Sequence, residues 1–185
     1  MNYKSLESIE FSITDLRKIL GKSFKLVMYP DLAGYNDINQ ILSQQNDYFV
    51  LYFETTSKTQ GHYECIFRYG NNYHFWDSYG LGVSDDKKYI EKATLIKLNE
   101  FKPYLPDLIN KSVANGDKWD YNLIDYQSWK NDVATCGRHV CTRILNRHLT
   151  EKQYYDYLLQ YIKQNNLHNF DEAVTKITSK MVYKK

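Results

Sequence analysis

The order of segments along the chain predicts an α+β fold, with a mixed central β-sheet flanked by helices. An apolar run of strand length covers residues 48–54, a hairpin pattern follows over 61–82, and helical patterns dominate after residue 135. Strands grouped before helices are typical of this class, whereas regular alternation of the two would indicate a parallel α/β sheet. The 185 residues suit one domain, which we expect to span 1–185.

The N-terminal part predicts two helices and two strands. Residues 12–20 carry apolar side chains at helical spacing and are followed by Gly21, so a short amphipathic helix should end there. A strand over 24–29 and a short helix over 36–42 should follow. The run 48–54 is so uniformly apolar that we expect a central strand covered on both faces.

The next segment predicts a β-hairpin that places a histidine beside an aspartate. Two strand-like runs flank residues 70–71, a Gly-Asn pair that suits a two-residue turn. With that turn, the numbers of paired residues sum to 141, so His62 faces Tyr79 and lies diagonal to Asp77. Diagonal neighbours on one face are about 7–8 Å apart, close enough for imidazole and carboxylate to meet. A three-residue loop would move Asp77 to the opposite face.

The later segments predict two more strands and three helices around the cysteine region. We expect a strand over 94–98, a helix over 107–114 closed by Asn115-Gly116, and an inner strand over 119–126 that delivers Gln127. Thr150 with Gln153 forms a capping-box pattern that opens one helix, and Asn169 with Glu172 opens the last. The residues expected to be buried on these two helices are Tyr154, Tyr155, Leu158, Leu159, Ile162, Val174, Ile177 and Met181.

Residues 135–149 predict a reactive cysteine at the first turn of a buried helix. Apolar side chains recur on one helical face at Val140, Cys141, Ile144 and Leu145. A helix beginning close to Cys136 would offer it free N–H groups and the positive end of the helix dipole. Both favour a thiolate and can bind an oxyanion. Cys136 is therefore the first candidate for a nucleophile, although a lone cysteine is more often a simple core residue.

Composition restricts the classes of function open to the chain. Hydrophobic residues make up 43% and charged residues 25%, with both signs interleaved, which excludes a disordered or fibrous protein. The formal net charge of +2, without a basic block, gives no electrostatic basis for nucleic acid as the main ligand. No N-terminal apolar region and no membrane-length apolar run occurs, so we expect a soluble protein that is not secreted and does not contact membranes. Three cysteines, an odd number, suggest reduced thiols inside a cell.

Four residues together meet the requirements of a cysteine nucleophile. Such a nucleophile needs a base within hydrogen-bond reach, a group that orients the base, and donors for an oxyanion. His62, Asp77 and Gln127 can supply these roles beside Cys136. Each also has a plain structural interpretation: a strand histidine, a turn aspartate and a polar residue at a strand end. Only the combination favours catalysis.

At these positions the sequence resembles the adenain-like cysteine peptidases, the family of the adenoviral maturation protease and the SUMO-deconjugating proteases. Gly61-His62-Tyr63 is similar to the family's Gly-His-Trp, and the segment 75–80 looks like its segment around Asp-Ser. Gln127 followed by Cys136-Gly137 looks like its Gln…Cys-Gly, although the spacing between Gln and Cys is longer here. The order His, acid, Gln, Cys is the same, and the resemblance covers about residues 31–149.

The resemblance implies a papain-related fold with the catalytic Cys136 at the N-terminus of a central helix. It implies His62 as general base, Asp77 as its orienter, and Gln127 with the Cys136 N–H as oxyanion donors. The implied activity is cleavage of precursor polyproteins after small residues such as Gly, as in maturation of a virion from capsid or other precursors. A monomer in the virion or in the host-cell cytoplasm or nucleus is expected, with no cofactor or metal. Whether a peptide or DNA activates the protein cannot be inferred from these residues.

Three alternatives stay open at this point. The same fold also serves deconjugation of SUMO or ubiquitin-like modifiers and acyl transfer by bacterial effectors, and an inactive copy could bind peptides. A metal centre is the third possibility, built from Cys136, His139 and Cys141 together with Cys65, His62, His74 or His148. Helical geometry disfavours this centre, because at about 100° per residue Cys141 points well away from the other two helix residues.

Overall fold

A computed structural model of the chain describes residues 3–45, 47–57 and 60–183, apart from the side chain of residue 57. Within these ranges lie five strands, named β1 to β5 in chain order: Leu26–Met28, Tyr48–Ser57, Gln60–Tyr69, Asn72–Trp76 and Lys118–Tyr121. They form one sheet in sequential order. The β1–β2 and β4–β5 pairs are parallel and the other two are antiparallel, so the sheet is mixed as predicted.

The described ranges also contain six α-helices, named α1 to α6: Ile13–Leu20, Lys92–Lys97, Tyr104–Ala114, Cys136–Leu145, Glu151–Asn165 and Phe170–Val182. The predicted caps of the last two helices are confirmed, because Thr150 and Gln153 form a capping box at α5 and Asn169 caps α6. The helix α1 ends at Gly21 as predicted, and Ser12 caps its start. Among the residues described, no helix has both the length and the apolar character that a membrane crossing requires. The arrangement is an α+β fold.

Alternate strand residues enter two hydrophobic cores on opposite faces of the sheet. Cys65 and Trp76 enter the core that the sheet shares with α1, α4, α5 and α6. Ile66 and Phe75 enter the second core, which α3 and the short 3-10 helices close. This division follows from the strand geometry, because successive side chains point to opposite faces. The apolar run 48–54 is therefore covered on both faces, as predicted.

The β3–β4 hairpin has the predicted register. Cys65 pairs with Trp76 and Tyr69 with Asn72, so the numbers of paired residues sum to 141. Gly70 has φ of 60°, a left-handed conformation that glycine adopts without strain. The strand β4 ends at Trp76, so Asp77 is the first residue beyond the ladder. This register is what brings the hairpin's histidine and aspartate to one place.

Two strand predictions are wrong. Residues 94–98 lie mostly in α2, where the Leu95 N–H donates to the Glu91 carbonyl at 3.1 Å and only Leu95 is buried. The apparent alternation there reflects a single buried residue on a short surface helix. The predicted inner strand 119–126 is shorter and peripheral, because β5 ends at Tyr121 and is the edge strand beside β4. The stretch that leads to Gln127 is therefore irregular.

Several boundaries and burial predictions also need correction. The strand predicted over 24–29 is reduced to β1, and the helix predicted over 36–42 is only a 3-10 turn over Ile38–Gln40. The helix α3 begins at Tyr104, before residue 107, so Pro106 lies in its first turn. Proline is tolerated there because the N–H groups of the first turn have no intrahelical acceptor. Of the predicted core positions, the exposed ones are Leu145, Leu159 and Met181.

Candidate functional site

His62 and Asp77 form a buried hydrogen-bonded pair at the end of the hairpin. His62 Nε2 lies 2.5 Å from Asp77 Oδ1, and the two side chains are 8% and 0% exposed. The second carboxylate oxygen accepts the N–H groups of Tyr79 at 3.0 Å and Leu81 at 3.1 Å. Asn122 holds the Asp77 backbone, accepting its N–H at 2.9 Å and donating to its carbonyl at 2.7 Å. The carboxylate is therefore fixed before it meets the imidazole.

Cys136 is the first residue of α4, and its thiol is close enough to the His62 side chain to help raise the His62 pKa. Because His62 Nε2 faces Asp77, Nδ1 is the ring nitrogen left for the thiol. The next residue must be small. A Cβ on Gly137 would lie 2.9 Å from Phe11 Cβ and 3.3 Å from the Tyr63 ring, so glycine lets the first turn of α4 pack against the sheet. His62 therefore lies between the Asp77 carboxylate and the Cys136 thiol, which is the placement expected from the sequence.

The electrostatics of the three cysteines differ. Burial opposes protonation of His62, but the Asp77 charge and the hydrogen bonds to Asp77 and Cys136 outweigh it and raise the His62 pKa well above its usual value. A raised imidazole pKa favours transfer of the thiol proton to His62, which would leave a thiolate beside an imidazolium. Burial raises the pKa of the Cys65 and Cys141 thiols, which are fully buried. All three cysteines are free, and only Cys136 is paired with a histidine.

Gln127 lies on the His62 side of the site and is held at both ends of its amide. Its Oε1 accepts the Ser78 hydroxyl at 2.8 Å, and its Nε2 donates to the Tyr79 hydroxyl at 2.9 Å. Tyr79 in turn stacks on the His62 ring, with centroids 5.1 Å apart. These two contacts leave the second N–H of the amide unengaged. Gln127 is buried and is fixed in orientation by Ser78 and Tyr79.

Two clefts share Gly61 as a lining residue. The Cys136 cleft, of about 430 Å³, is lined by Cys136 and by residues that include Phe11, Tyr52 and Tyr63. The His62 cleft, of about 320 Å³, is lined by His62 and by residues that include Phe53, Tyr79, Asp86, Tyr89 and Trp129. A Cβ on Gly61 would lie 2.2 Å from the Phe53 carbonyl oxygen and 2.4 Å from the Tyr52 ring. Only glycine fits between the two clefts.

A second histidine–aspartate pair, absent from the sequence analysis, anchors the start of α4. His139 Nε2 lies 3.0 Å from Asp171 Oδ1, which also accepts the Thr135 hydroxyl, and the other oxygen accepts the Ser128 N–H at 3.0 Å. Burial opposes ionisation of Asp171, but these hydrogen bonds outweigh it and lower its pKa. One carboxylate thus joins α6, the N-terminus of α4 and the residue after Gln127. The only sequence signal was an acidic residue in the first turn of a helix.

The alternative metal centre is not assembled. His139 is engaged with Asp171, and Cys141 lies in the core that α4 shares with the sheet. Across residues 3–45, 47–57 and 60–183, no group of three or more His, Cys, Asp and Glu side chains is placed to hold a metal ion. The chemistry that the site can supply is that of a thiol, an imidazole and polarised N–H groups.

Comparisons with known proteins place the chain in a viral lineage. No protein-family model matches the sequence. The protein described as "Uncharacterized protein V9" of Sputnik virophage is 34% identical over 179 residues, which is 95% of this chain and 97% of that protein. Identity of this extent over nearly the whole of both chains indicates common descent and a viral link. The chain therefore belongs to the same family as the Sputnik virophage protein V9.

Proposed function

We propose that the protein is a cysteine endopeptidase that cleaves precursor proteins after small residues such as Gly during maturation of a virion. The observation that carries this proposal is the placement of His62, which is hydrogen-bonded to Asp77 at 2.5 Å and has its pKa raised by both Asp77 and Cys136. Cys136 lies at a helix N-terminus and, although it is 9% exposed, lines a cleft that a substrate could enter. The resemblance to adenain-like peptidases at the same residues supports a papain-related fold.

The proposed reaction uses each residue in turn. His62 takes the Cys136 proton, and the sulfur attacks the carbonyl carbon of the substrate to form a tetrahedral oxyanion. The N–H of Cys136 and the Gln127 amide stabilise that oxyanion. When the C–N bond breaks, His62 returns the proton to the leaving nitrogen and the acyl group stays on sulfur. His62 then deprotonates a water molecule, whose oxygen attacks the acyl carbon. The C–S bond breaks, the acid leaves, and the proton on His62 returns to the Cys136 sulfur to regenerate the thiol.

The preference for small residues follows from the surroundings of the thiol. Aromatic rings of Phe11, Tyr52 and Tyr63 line the Cys136 cleft, and Tyr52 and Tyr63 are in ring contact at 4.8 Å. A substrate backbone has to pass close to these rings to bring its carbonyl carbon to Cys136. A glycine at the cleaved position allows this approach, because it has no Cβ. The virophage relative supports a viral setting for the proposed activity.

Incubation with a proteome-derived peptide library, capsid precursors of the same virus, and SUMO and ubiquitin fusions tests the proposal. We expect cuts in the capsid precursors after small residues, and no such cuts by Cys136→Ala protein. Cleavage of the modifier fusions alone would instead favour a deconjugating enzyme. Cuts after large or charged residues would contradict the proposed preference for small residues, and no cleavage by the wild-type protein would favour a peptide-binding module.

A further inference from the structure

The two clefts face different halves of a bound substrate. In the proposed reaction the acyl half stays on Cys136 while the leaving nitrogen takes its proton from His62. Cys136 lines the first cleft but not the second, and His62 lines the second but not the first. The His62 cleft is therefore on the side of the residues that follow the cleaved bond. What it binds depends on its walls and its charge.

Aromatic rings form one wall of the His62 cleft. Trp129 stacks on Tyr79 with centroids 4.1 Å apart, and Tyr89 contacts Trp129 at 5.7 Å. Trp129 and Tyr89 are 52% and 73% exposed, although rings of this size are usually covered. Aliphatic lining comes from Leu81 and Ile90. Such walls suit a long side chain that has an apolar stem and a cationic end.

A carboxylate with an unused oxygen also lines this cleft. Asp86 is 9% exposed, and its Oδ1 accepts the Lys87 N–H at 2.8 Å. Its Oδ2 is buried and has no hydrogen-bond partner among the residues described. The Lys87 ammonium does not fill this role, because it donates to the Glu100 carbonyl at 2.8 Å and lies over the Tyr29 ring. An ionised oxygen without a partner is costly, so a cation entering the cleft would be stabilised there.

The charges around Asp86 set its protonation state. The groups that act on it are His62 and Lys87, which are basic, and Glu64, Asp77 and Glu100, which are acidic. Burial raises the Asp86 pKa to about 6, with His62 and Lys87 opposing that rise. Asp86 is thus ionised at neutral pH and loses its charge as the pH falls through about 6. No substrate cation could use it in the protonated form.

We propose that the His62 cleft selects a lysine or arginine side chain within the first two substrate residues after the cleaved bond, with Asp86 as its anionic partner. The aromatic wall of Tyr79, Tyr89 and Trp129 holds the stem and one face of the cation. This inference rests on the proposed peptidase function, from which the side of the cleft is taken. It adds a second requirement to the preference for a small residue before the bond.

The test compares matched fluorogenic peptides that carry lysine, arginine, acetyl-lysine or glutamate at these two positions. We expect kcat/KM for the best lysine or arginine peptide to exceed that for its acetyl-lysine counterpart about tenfold at pH 8, as one charge-assisted hydrogen bond would give. This ratio of the two kcat/KM values should fall towards one in the Asp86→Asn variant, and also in the wild-type protein below pH 6. Asp85→Asn, which removes a neighbouring carboxylate paired with Lys88 at the surface, should leave the ratio unchanged.

A binding arm separates this inference from the proposed function. Cys136→Ala protein is titrated with the same peptides by fluorescence polarisation, so that no turnover is needed. A tenfold tighter Kd for the basic peptide supports the inference even if the wild-type protein cleaves nothing, an outcome that would overturn only the peptidase proposal. Equal Kd values for the basic and acetyl-lysine peptides would overturn the inference. So would a ratio of these two Kd values that stays the same when Asp86→Asn is introduced. Tyr89 is exposed, so the fold should tolerate Tyr89→Ala, and this variant should also reduce the ratio of the two Kd values.

Discussion

His139 and Asp171 join the helix that carries Cys136 to α6 through a 3.0 Å hydrogen bond within the core. The pair resembles His62 and Asp77 in composition but differs in placement. His139 is fully buried and lines neither the Cys136 cleft nor the His62 cleft, whereas His62 lines its own cleft and lies beside the Cys136 thiol. Among the residues described, these are two buried histidine–aspartate pairs, one beside the thiol and one that joins α4 to α6.

The second pair should position the nucleophile. Asp171→Asn replaces the common acceptor of Thr135, His139 and Ser128, and should lower the free energy of unfolding by about 2–4 kcal/mol, since it breaks a buried ionic network. Urea denaturation measures this change. At a temperature where the variant is still folded, alkylation of Cys136 should be slower as well. Glu172→Gln, in the same helical turn, is the control and should change neither quantity by a comparable amount.

The acid sensitivity of the fold should depend on the same carboxylate. Because the Asp171 pKa is lowered in the folded state, its contribution to stability is full above its unfolded value and is lost as the pH falls through the folded value. Asp171→Asn should therefore lose less stability than the wild-type protein between neutral pH and about pH 3. Thermal unfolding followed by circular dichroism across this range is the measurement. Parallel curves for the two proteins would contradict the assignment.

Cys136 should be the thiol that reacts first. Brief treatment with iodoacetamide followed by peptide mapping should label Cys136, because Cys65 and Cys141 have raised pKa values and are fully buried. His62→Ala should slow this labelling about tenfold or more, since the thiol loses its proton acceptor. His148→Ala is the matched histidine control. Equal labelling of all three cysteines in the folded protein would argue against an activated thiol.

Removal of either partner in proton transfer should abolish cleavage. Cys136→Ala and His62→Ala should each reduce kcat/KM about a thousandfold or more, because nucleophile and base act as a unit. Asp77→Asn should retain measurable activity, since the acid only orients the base, although its Oδ2 also accepts two turn N–H groups. Cys141→Ala serves as the control and should keep full activity. Circular dichroism must show that each variant is folded.

The pH dependence of cleavage should report the His62–Asp77 pair. Since the His62 pKa is raised, the imidazolium that protonates the leaving group persists above pH 6.5 and is lost only as the pH rises through the raised value. Asp77→Asn removes the charge that raises this pKa, so the alkaline limb of the kcat/KM profile should move to lower pH. An unmoved alkaline limb would show that another group controls it.

Gln127 should act on the oxyanion rather than on substrate binding. Gln127→Ala should lower kcat about 100-fold to 1,000-fold with little change in KM, as removal of one oxyanion donor does. The exposed Gln160→Ala on α5 should have no effect. An equal loss in kcat and rise in KM would instead indicate that Gln127 supports the binding surface through Tyr79.

Local patterns in the sequence predicted much of the fold and of the site. The caps of α1, α5 and α6 are set by residues that are close together in the sequence. The hairpin turn is equally local, and it fixes the register that brings His62 to Asp77. The strand predicted over 94–98 failed for the opposite reason: only Leu95 meets the core, and the rest of the segment is free to be helical. Packing, rather than pattern, decided that case.

Long-range contacts were beyond the reach of sequence. Asp171 meets His139 and Thr135 only because α6 packs against α4, and no spacing or motif signals this meeting. The same holds for Asp86, whose place beside His62 depends on how the loop after the hairpin folds back. Residue type and spacing therefore identified the groups that meet within one hairpin, while the groups that support them required the tertiary structure.

Because Asp171 anchors the start of α4, it should also decide when the protein can become active. During synthesis Cys136 and His62 leave the ribosome before α6 does, so the thiol has its base nearby while the start of its helix is still unanchored. We expect the nascent chain to be inert towards its own unfolded segments and towards neighbouring nascent precursors. The protein would then become active only when α6 packs against α4. The onset of the proposed proteolysis would thus be linked to the completion of folding.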